Sequence, residues 1–223
     1  MTEKAIVRDY FNTLGFDRWR RIYGDGEVNR VQQDIRKGHA RTIETVLDWL
    51  EDVKDQTVCD AGCGVGSLSI PLAQRGAQVF GSDLSEKMVQ EARDRQQAEL
   101  GQTENPQFST SDLEAIQGSY DTVVCLDVMI HYPEADALEM IEHLTTLSTD
   151  RVIFSFAPKT PLLTILKKIG EFFPGPSKAT RAYQHRETAI VERLQQLGWT
   201  VKRRETIKSQ FYFAWILEVQ PAR

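Results

Sequence analysis

The sequence predicts an α/β fold in which a mostly parallel, seven-stranded sheet ends in an antiparallel hairpin. Three observations carry this. From about Gln56 onward, short strand-like runs alternate with amphipathic stretches, the pattern of a parallel sheet covered by helices. A glycine-rich turn, Asp60-Ala61-Gly62-Cys63-Gly64-Val65-Gly66, joins the first such run to the next amphipathic stretch. The chain then closes on two strand-like runs separated only by Lys208-Ser209-Gln210, a link too short for a helical crossover.

Taken in order, the parallel strands are expected at residues 57–60, 78–82, 107–110, 121–126 and 151–156. Helices are expected at 68–75, 87–100, 135–147 and 187–197. Ser85, with Met88 and Val89 behind it, reads as the N-cap of the second of these helices. The closing runs are 200–207 and 211–219; the latter, Phe-Tyr-Phe-Ala-Trp-Ile-Leu-Glu-Val, is dense in strand-favouring residues. Residues 1–55 stand outside this alternation. They read as helical, with Ile6, Tyr10 and Phe11 on one stripe and Ile35, Ile43, Val46, Leu47 and Leu50 on another. The chain thus divides into an N-terminal helical cap or substrate arm, 1–55, and a core, 56–223. Within the core, residues 158–186 carry Pro161, Pro174, Gly175 and Pro176 and read as a lid-like insertion. Cap and insertion are expected over the carboxyl ends of the strands, where open α/β sheets bind ligands.

Composition narrows the function. With 223 residues the chain can bury a sizeable core, and 41% hydrophobic with 26% charged residues is ordinary for a globular protein. A net charge of −5 argues against a general nucleic-acid binder. No run approaches the ~18–20 apolar residues of a membrane span, and the charged N-terminus lacks the apolar stretch of a secretory signal. Cys59, Cys63 and Cys125 have no Cys-x-x-Cys spacing and read as small buried side chains, consistent with a reducing, cytoplasmic setting and no protein-bound metal.

The glycine turn follows an apolar strand and opens a helix, the context that gives such a turn meaning as a ligand loop. Acidic residues then stand at successive strand ends. Asp60 closes the first strand and suits orienting the loop or holding an ammonium. Asp83, 21 residues beyond Gly62, suits ribose hydroxyls. Asp112 follows the third strand. A dinucleotide would seat its pyrophosphate on the helix N-terminus, where anions are favoured, and an Asp directly before the glycines is awkward there. S-adenosylmethionine has no phosphate and carries a positive sulfonium, so the acids favour it over NAD. The expected cofactor contacts are Asp60, Gly62, Cys63, Gly64, Asp83, Leu84, Asp112, Leu113 and Asp127.

Several longer segments carry a more specific likeness: Val7-Arg-Asp-Tyr-Phe-Asn12, Gly15-Phe-Asp-Arg-Trp-Arg-Arg-Ile-Tyr-Gly-Asp-Gly26, Cys125-Leu-Asp-Val-Met-Ile-His-Tyr-Pro133, Ser155-Phe-Ala-Pro-Lys-Thr160, Lys167-Lys-Ile-Gly170, Phe173-Pro-Gly-Pro-Ser-Lys178 and Thr180-Arg-Ala-Tyr-Gln-His185. Through them the chain resembles the magnesium-protoporphyrin IX O-methyltransferases of chlorophyll biosynthesis, in their cyanobacterial form, over essentially its whole length. The resemblance implies the Rossmann-like class I methyltransferase fold. It also implies methyl transfer from S-adenosylmethionine to a propionate of magnesium protoporphyrin IX, giving the monomethyl ester and S-adenosylhomocysteine (SAH).

A propionic acid has a pKa near that of Glu, ~4.3, so the acceptor is ionised at neutral pH and needs positioning rather than a strong base. Two residues are expected to act on it. Tyr23 would close over the sulfonium, and His131, after the fourth strand, would hydrogen-bond the propionate or, as the alternative, ligate the substrate's magnesium. Arg18, Trp19, Lys159 and Arg181 are expected to meet the porphyrin, whose magnesium is the only metal in this scheme. Phe16, Ile22, Phe172, Phe173 and Tyr183 supply apolar walls. The resemblance further implies collaboration with the porphyrin-binding subunit of magnesium chelatase, and the basic, apolar stretch 162–173 suggests peripheral contact with an internal membrane. A different acceptor, such as a quinone, and a non-catalytic porphyrin-binding protein are the competing readings.

Overall fold

The computed structural model describes residues 2–24, 26–160 and 182–222. Three helices lead in: α1 (Glu3–Asn12), α2 (Phe16–Ile22) and α3 (Arg30–Trp49). The alternating part follows as β1 (Thr57–Ala61), α4 (Ser69–Gln74), β2 (Gln78–Asp83), α5 (Glu86–Leu100), β3 (Gln107–Thr110), β4 (Tyr120–Cys125), α6 (Glu134–Leu147) and β5 (Ser148–Phe156). Helix α7 (Glu187–Gln196) then precedes the hairpin β6 (Trp199–Lys208) and β7 (Phe213–Pro221).

The seven strands lie in the order β3-β2-β1-β4-β5-β7-β6. β1 to β5 run parallel, and β7 is antiparallel to both β5 and β6. This is the predicted sheet. Helix starts follow from side-chain caps: Asn29 and Gln32 form a reciprocal capping box on α3, and Ser85 accepts the Met88 N–H on α5 as its position suggested.

Period-two alternation sorts the sheet's residues into two cores. Val123 and Cys125 of β4, Phe154 and Phe156 of β5, and Leu217 and Val219 of β7 share one face with Ile141 and Leu144 of α6 and Ile190 and Leu194 of α7. Val124, Ile153 and Ile216, one residue out of phase, join Val58, Leu68, Leu72 and, from α3, Val46 and Leu50. The deepest stripe of α3 is Gly38, Thr42, Val46 and Leu50, at spacing four, while Ile35, Ile43 and Leu47 flank it half-buried.

One boundary differs from the sequence expectation in a way that matters. The last strand starts at Phe213, not 211, because the Ser209 N–H donates to Tyr212 O at 2.9 Å and closes a tight turn. Asp34 of α3 holds that turn by accepting from Ser209 Oγ and the Phe211 N–H. Tyr212 is thereby released from the sheet and turned under α3. Among the described residues no helix is long and apolar enough to cross a membrane.

Candidate active site

The strand order reverses between β1 and β4, and a cleft of about 990 Å³, counting space open to solvent, lies at the carboxyl ends of these strands. The glycine turn forms its floor. Gly62 has φ +88°, and a Cβ there would overlap Val128 Cγ2, so only glycine fits between β1 and the β4 loop. Its N–H and that of Cys63 donate to Ser82 O at 2.7 and 2.9 Å, tying the turn to β2.

Three buried or half-buried carboxylates surround this floor. Asp60 is 3% exposed and accepts from Ser69 Oγ at 2.6 Å. Burial raises it to about 6, against the opposing pull of Ser69 and of the nearby His39. Asp83 accepts the Gly64 N–H at 3.0 Å and the Ser85 N–H at 2.8 Å; burial pushes its carboxyl up, and these two donors offset part of that rise. Asp127 sits just past β4 with φ +57°, a conformation rare for a residue with a Cβ. Burial pushes its carboxyl up, but His39 Nδ1 at 2.9 Å and Tyr212 Oη at 2.8 and 3.0 Å outweigh this and hold it below the usual range. Ser155 Oγ accepts the Asp127 N–H at 2.8 Å.

Two ring systems face the carboxylates. Tyr23 lies against His39, ring centroids 4.3 Å apart, and against Trp19 at 5.3 Å. Burial, then the charges of Asp127 and Asp83, raise its phenol well above the ordinary value, so it stays protonated and can donate. His131 meets Phe11 edge-on, centroids 5.2 Å apart. Burial lowers it to about 4, against the charge of Asp127, and its ring is neutral at pH 7. The Cys63 thiol is pushed up by burial and stays protonated. Among the described residues no group of His, Cys, Asp or Glu is arranged to hold a metal ion.

Residues 125–221 match the model of the magnesium-protoporphyrin IX methyltransferase C-terminus, and residues 58–149 match that of a methyltransferase domain. The magnesium-protoporphyrin O-methyltransferase of Synechocystis is 57% identical over 221 residues, covering 98% of this chain and 96% of that one. This chain belongs to the magnesium-protoporphyrin O-methyltransferase family. The chloroplastic magnesium protoporphyrin IX methyltransferase of Arabidopsis thaliana is 55% identical over 98% of this chain and 72% of its own length. The crystal structure of the Synechocystis enzyme with bound SAH superposes with a TM-score of 0.92, covering 98% of this chain and all of that one.

In this family member the cleft gathers ten of the residues singled out from sequence: Tyr23, Asp60, Gly62, Cys63, Gly64, Asp83, Leu84, Leu113, Asp127 and His131. Asp112 sits on the rim between the lining residues Ser111 and Leu113, where Arg8 (2.6 Å) and Lys4 (3.5 Å) of α1 pair with it. Arg18, Trp19 and Lys159 lie outside the lining. The Trp19 indole donates to Tyr10 Oη at 3.2 Å, Arg18 stacks over Trp19, and Lys159 is exposed beyond β5. Arg181 falls outside the described residues, as do Phe172, Phe173 and the basic stretch 162–173. His39 and Tyr212 were not anticipated. Neither sits in a recognisable motif, and only the fold brings them to Asp127.

Proposed function

We propose that this chain transfers a methyl group from S-adenosylmethionine to one propionate of magnesium protoporphyrin IX, yielding the monomethyl ester and SAH. The observation that carries the reading is the ring of Asp60, Asp83 and Asp127 around the glycine turn, in a chain alike along its full length to magnesium-protoporphyrin methyltransferases. A pyrophosphate would meet three carboxylates there and find the Gly64 N–H already given to Asp83. A sulfonium and an ammonium are favoured by the same groups.

When bound, S-adenosylmethionine supplies an electrophilic methyl group; the propionate oxygen bonds to its carbon while sulfur keeps the electron pair of the broken bond. The residues of this chain have no proton to remove, because the acceptor is already ionised at neutral pH. Their work is positioning and exclusion of water. Tyr23, protonated and clamped between Trp19 and His39, presents its hydroxyl as a donor beside the carboxylates. His131, neutral, offers one N–H and one lone pair to the acceptor side of the cleft. Asp60 suits the donor's ammonium, Asp83 its ribose, and Asp112 the adenine amino group once released from α1. Residues 1–55 and 158–186 are assigned the porphyrin. The chelatase's porphyrin-binding subunit and an internal membrane surface are natural neighbours for so insoluble a substrate.

The test is an acceptor panel with labelled methyl donor. Ester is expected on magnesium protoporphyrin IX and none on quinols; methylated quinol, or porphyrin bound without ester, would contradict the assignment.

A further inference from the structure

We infer that Arg36 and Arg95 are positioning residues for the reaction: together they grip the backbone on which Tyr23 stands and so fix where its hydroxyl meets the reacting groups. The inference rests on the reading of Tyr23 as an active-site residue.

Helix α2 has only 7 residues, and Tyr23 stands at its C-cap. A helix so short is marginal in water by itself, and its last carbonyls have no partner within the helix. The Trp19 carbonyl is taken by the Tyr23 N–H at 2.8 Å. The carbonyls that follow, of Arg20, Arg21, Ile22 and Tyr23, are all taken by two arginines from other helices. Arg95 of α5 donates from Nη1 to Tyr23 O at 2.9 Å and from Nη2 to Arg20 O at 3.4 Å. Arg36 of α3 donates from Nε to Ile22 O at 3.0 Å, and from Nη2 to Arg21 O at 2.6 Å and Gly26 O at 2.7 Å.

The grip is itself aimed. Arg95 Nε donates to Glu91 Oε1 at 3.2 Å, and the other oxygen of Glu91 lies 3.8 Å from Arg20 Nη1. The chain leaves Tyr23 through Gly24, where a Cβ would come within 2.9 Å of Arg20 O and 3.4 Å of Arg95 Nη2, so the turn under the guanidinium has no room for a side chain. The Tyr23 ring is held separately, against His39 and Trp19. Backbone and ring are thus fixed by different groups. Neither arginine lines the cleft, so their reach into it runs through Tyr23. The planar fork of arginine suits several carbonyls of fixed geometry; a lysine keeps the charge but places it as a single point on a flexible stem.

The test is a double-mutant cycle on kcat, with the full chain, magnesium protoporphyrin IX and S-adenosylmethionine. Arg95→Lys and Arg36→Lys are each expected to lower kcat about tenfold, the effect of moving Tyr23 by a fraction of an ångström. In a Tyr23→Phe background the same changes are expected to lower it less than about twofold further, because the hydroxyl they place is already gone. Losses that multiply across the cycle would make the arginines general supports of the fold and overturn the inference while leaving the Tyr23 reading standing. So would lysine variants that turn over at the wild-type rate. Amide exchange in the wild type needs no variant. The Tyr23 N–H is expected to exchange at least about tenfold more slowly than an unstructured amide, and exchange at the unstructured rate would overturn the grip. A Tyr23→Phe variant with wild-type kcat would remove the Tyr23 reading and this inference with it.

Discussion

His39 Nδ1 lies 2.9 Å from Asp127 Oδ2, although 88 positions separate them in sequence, and the residue just before His39 admits the third member of the cluster. A Cβ at Gly38 would overlap the Tyr212 ring, whose hydroxyl reaches Asp127 at 2.8 Å. Alanine is the better helix former by roughly 1 kcal/mol, but overpacking against a rigid ring costs about 1–3 kcal/mol. Gly38→Ala is therefore expected to lower stability and to loosen Asp127. Urea unfolding reads this directly, and a midpoint equal to or above wild type would refute the packing argument.

Asp60 carries a pH signature. Burial raises it to about 6, so the folded chain keeps a proton that the unfolded chain has lost. The stability linked to this group is full below about pH 4, the unfolded value, and is lost as pH rises through about 6, by about 3 kcal/mol. Asp60→Asn does not titrate. Its stability relative to wild type should grow between pH 4 and 7, and a difference that does not change with pH would contradict the assignment.

Tyr23 and His131 are expected to act by placement. Tyr23→Phe removes the protonated hydroxyl while leaving the stack on His39, and His131→Ala empties the space beside Phe11. Each should lower kcat by about 10- to 100-fold, the effect of misplacing reacting groups by a fraction of an ångström to an ångström. Steady-state kinetics decide this; wild-type turnover in both variants would remove them from the mechanism.

The pairing of Arg8 with Asp112 has its own consequence. Arg8 is about half exposed, so Arg8→Ala should cost less than about 1 kcal/mol of stability. Helix α1 stays anchored by buried Val7 and Tyr10 and by Ser85 Oγ, which lies 2.9 Å from Asn12 Oδ1. If Asp112 serves the adenine, freeing it should strengthen SAH binding in calorimetry, and weaker binding would speak against that role.

These residues show what was legible in the sequence. β1 and its glycine turn could be read because an apolar run, an Asp and three spaced glycines are local features, and β7 because aromatic and β-branched residues crowd one short run. The acids at successive strand ends followed from the same pattern. His39 lies on a largely polar helix with nothing local to mark it. Its meaning comes from Asp127, whose positive φ is set by tertiary hydrogen bonds, and from Tyr212, which reads as strand but is drawn into the hairpin turn by Asp34. Trp19, expected from sequence to meet the porphyrin, donates to Tyr10 Oη and packs on Phe11 and Tyr23, neighbours that only the fold reveals.

The most direct test of the account is incubation of the purified chain with methyl-labelled S-adenosylmethionine and magnesium protoporphyrin IX, followed by separation of the porphyrins. The account predicts label in a monomethyl ester, with one SAH released per ester formed. Bound porphyrin that stays unlabelled while the donor is intact would contradict it.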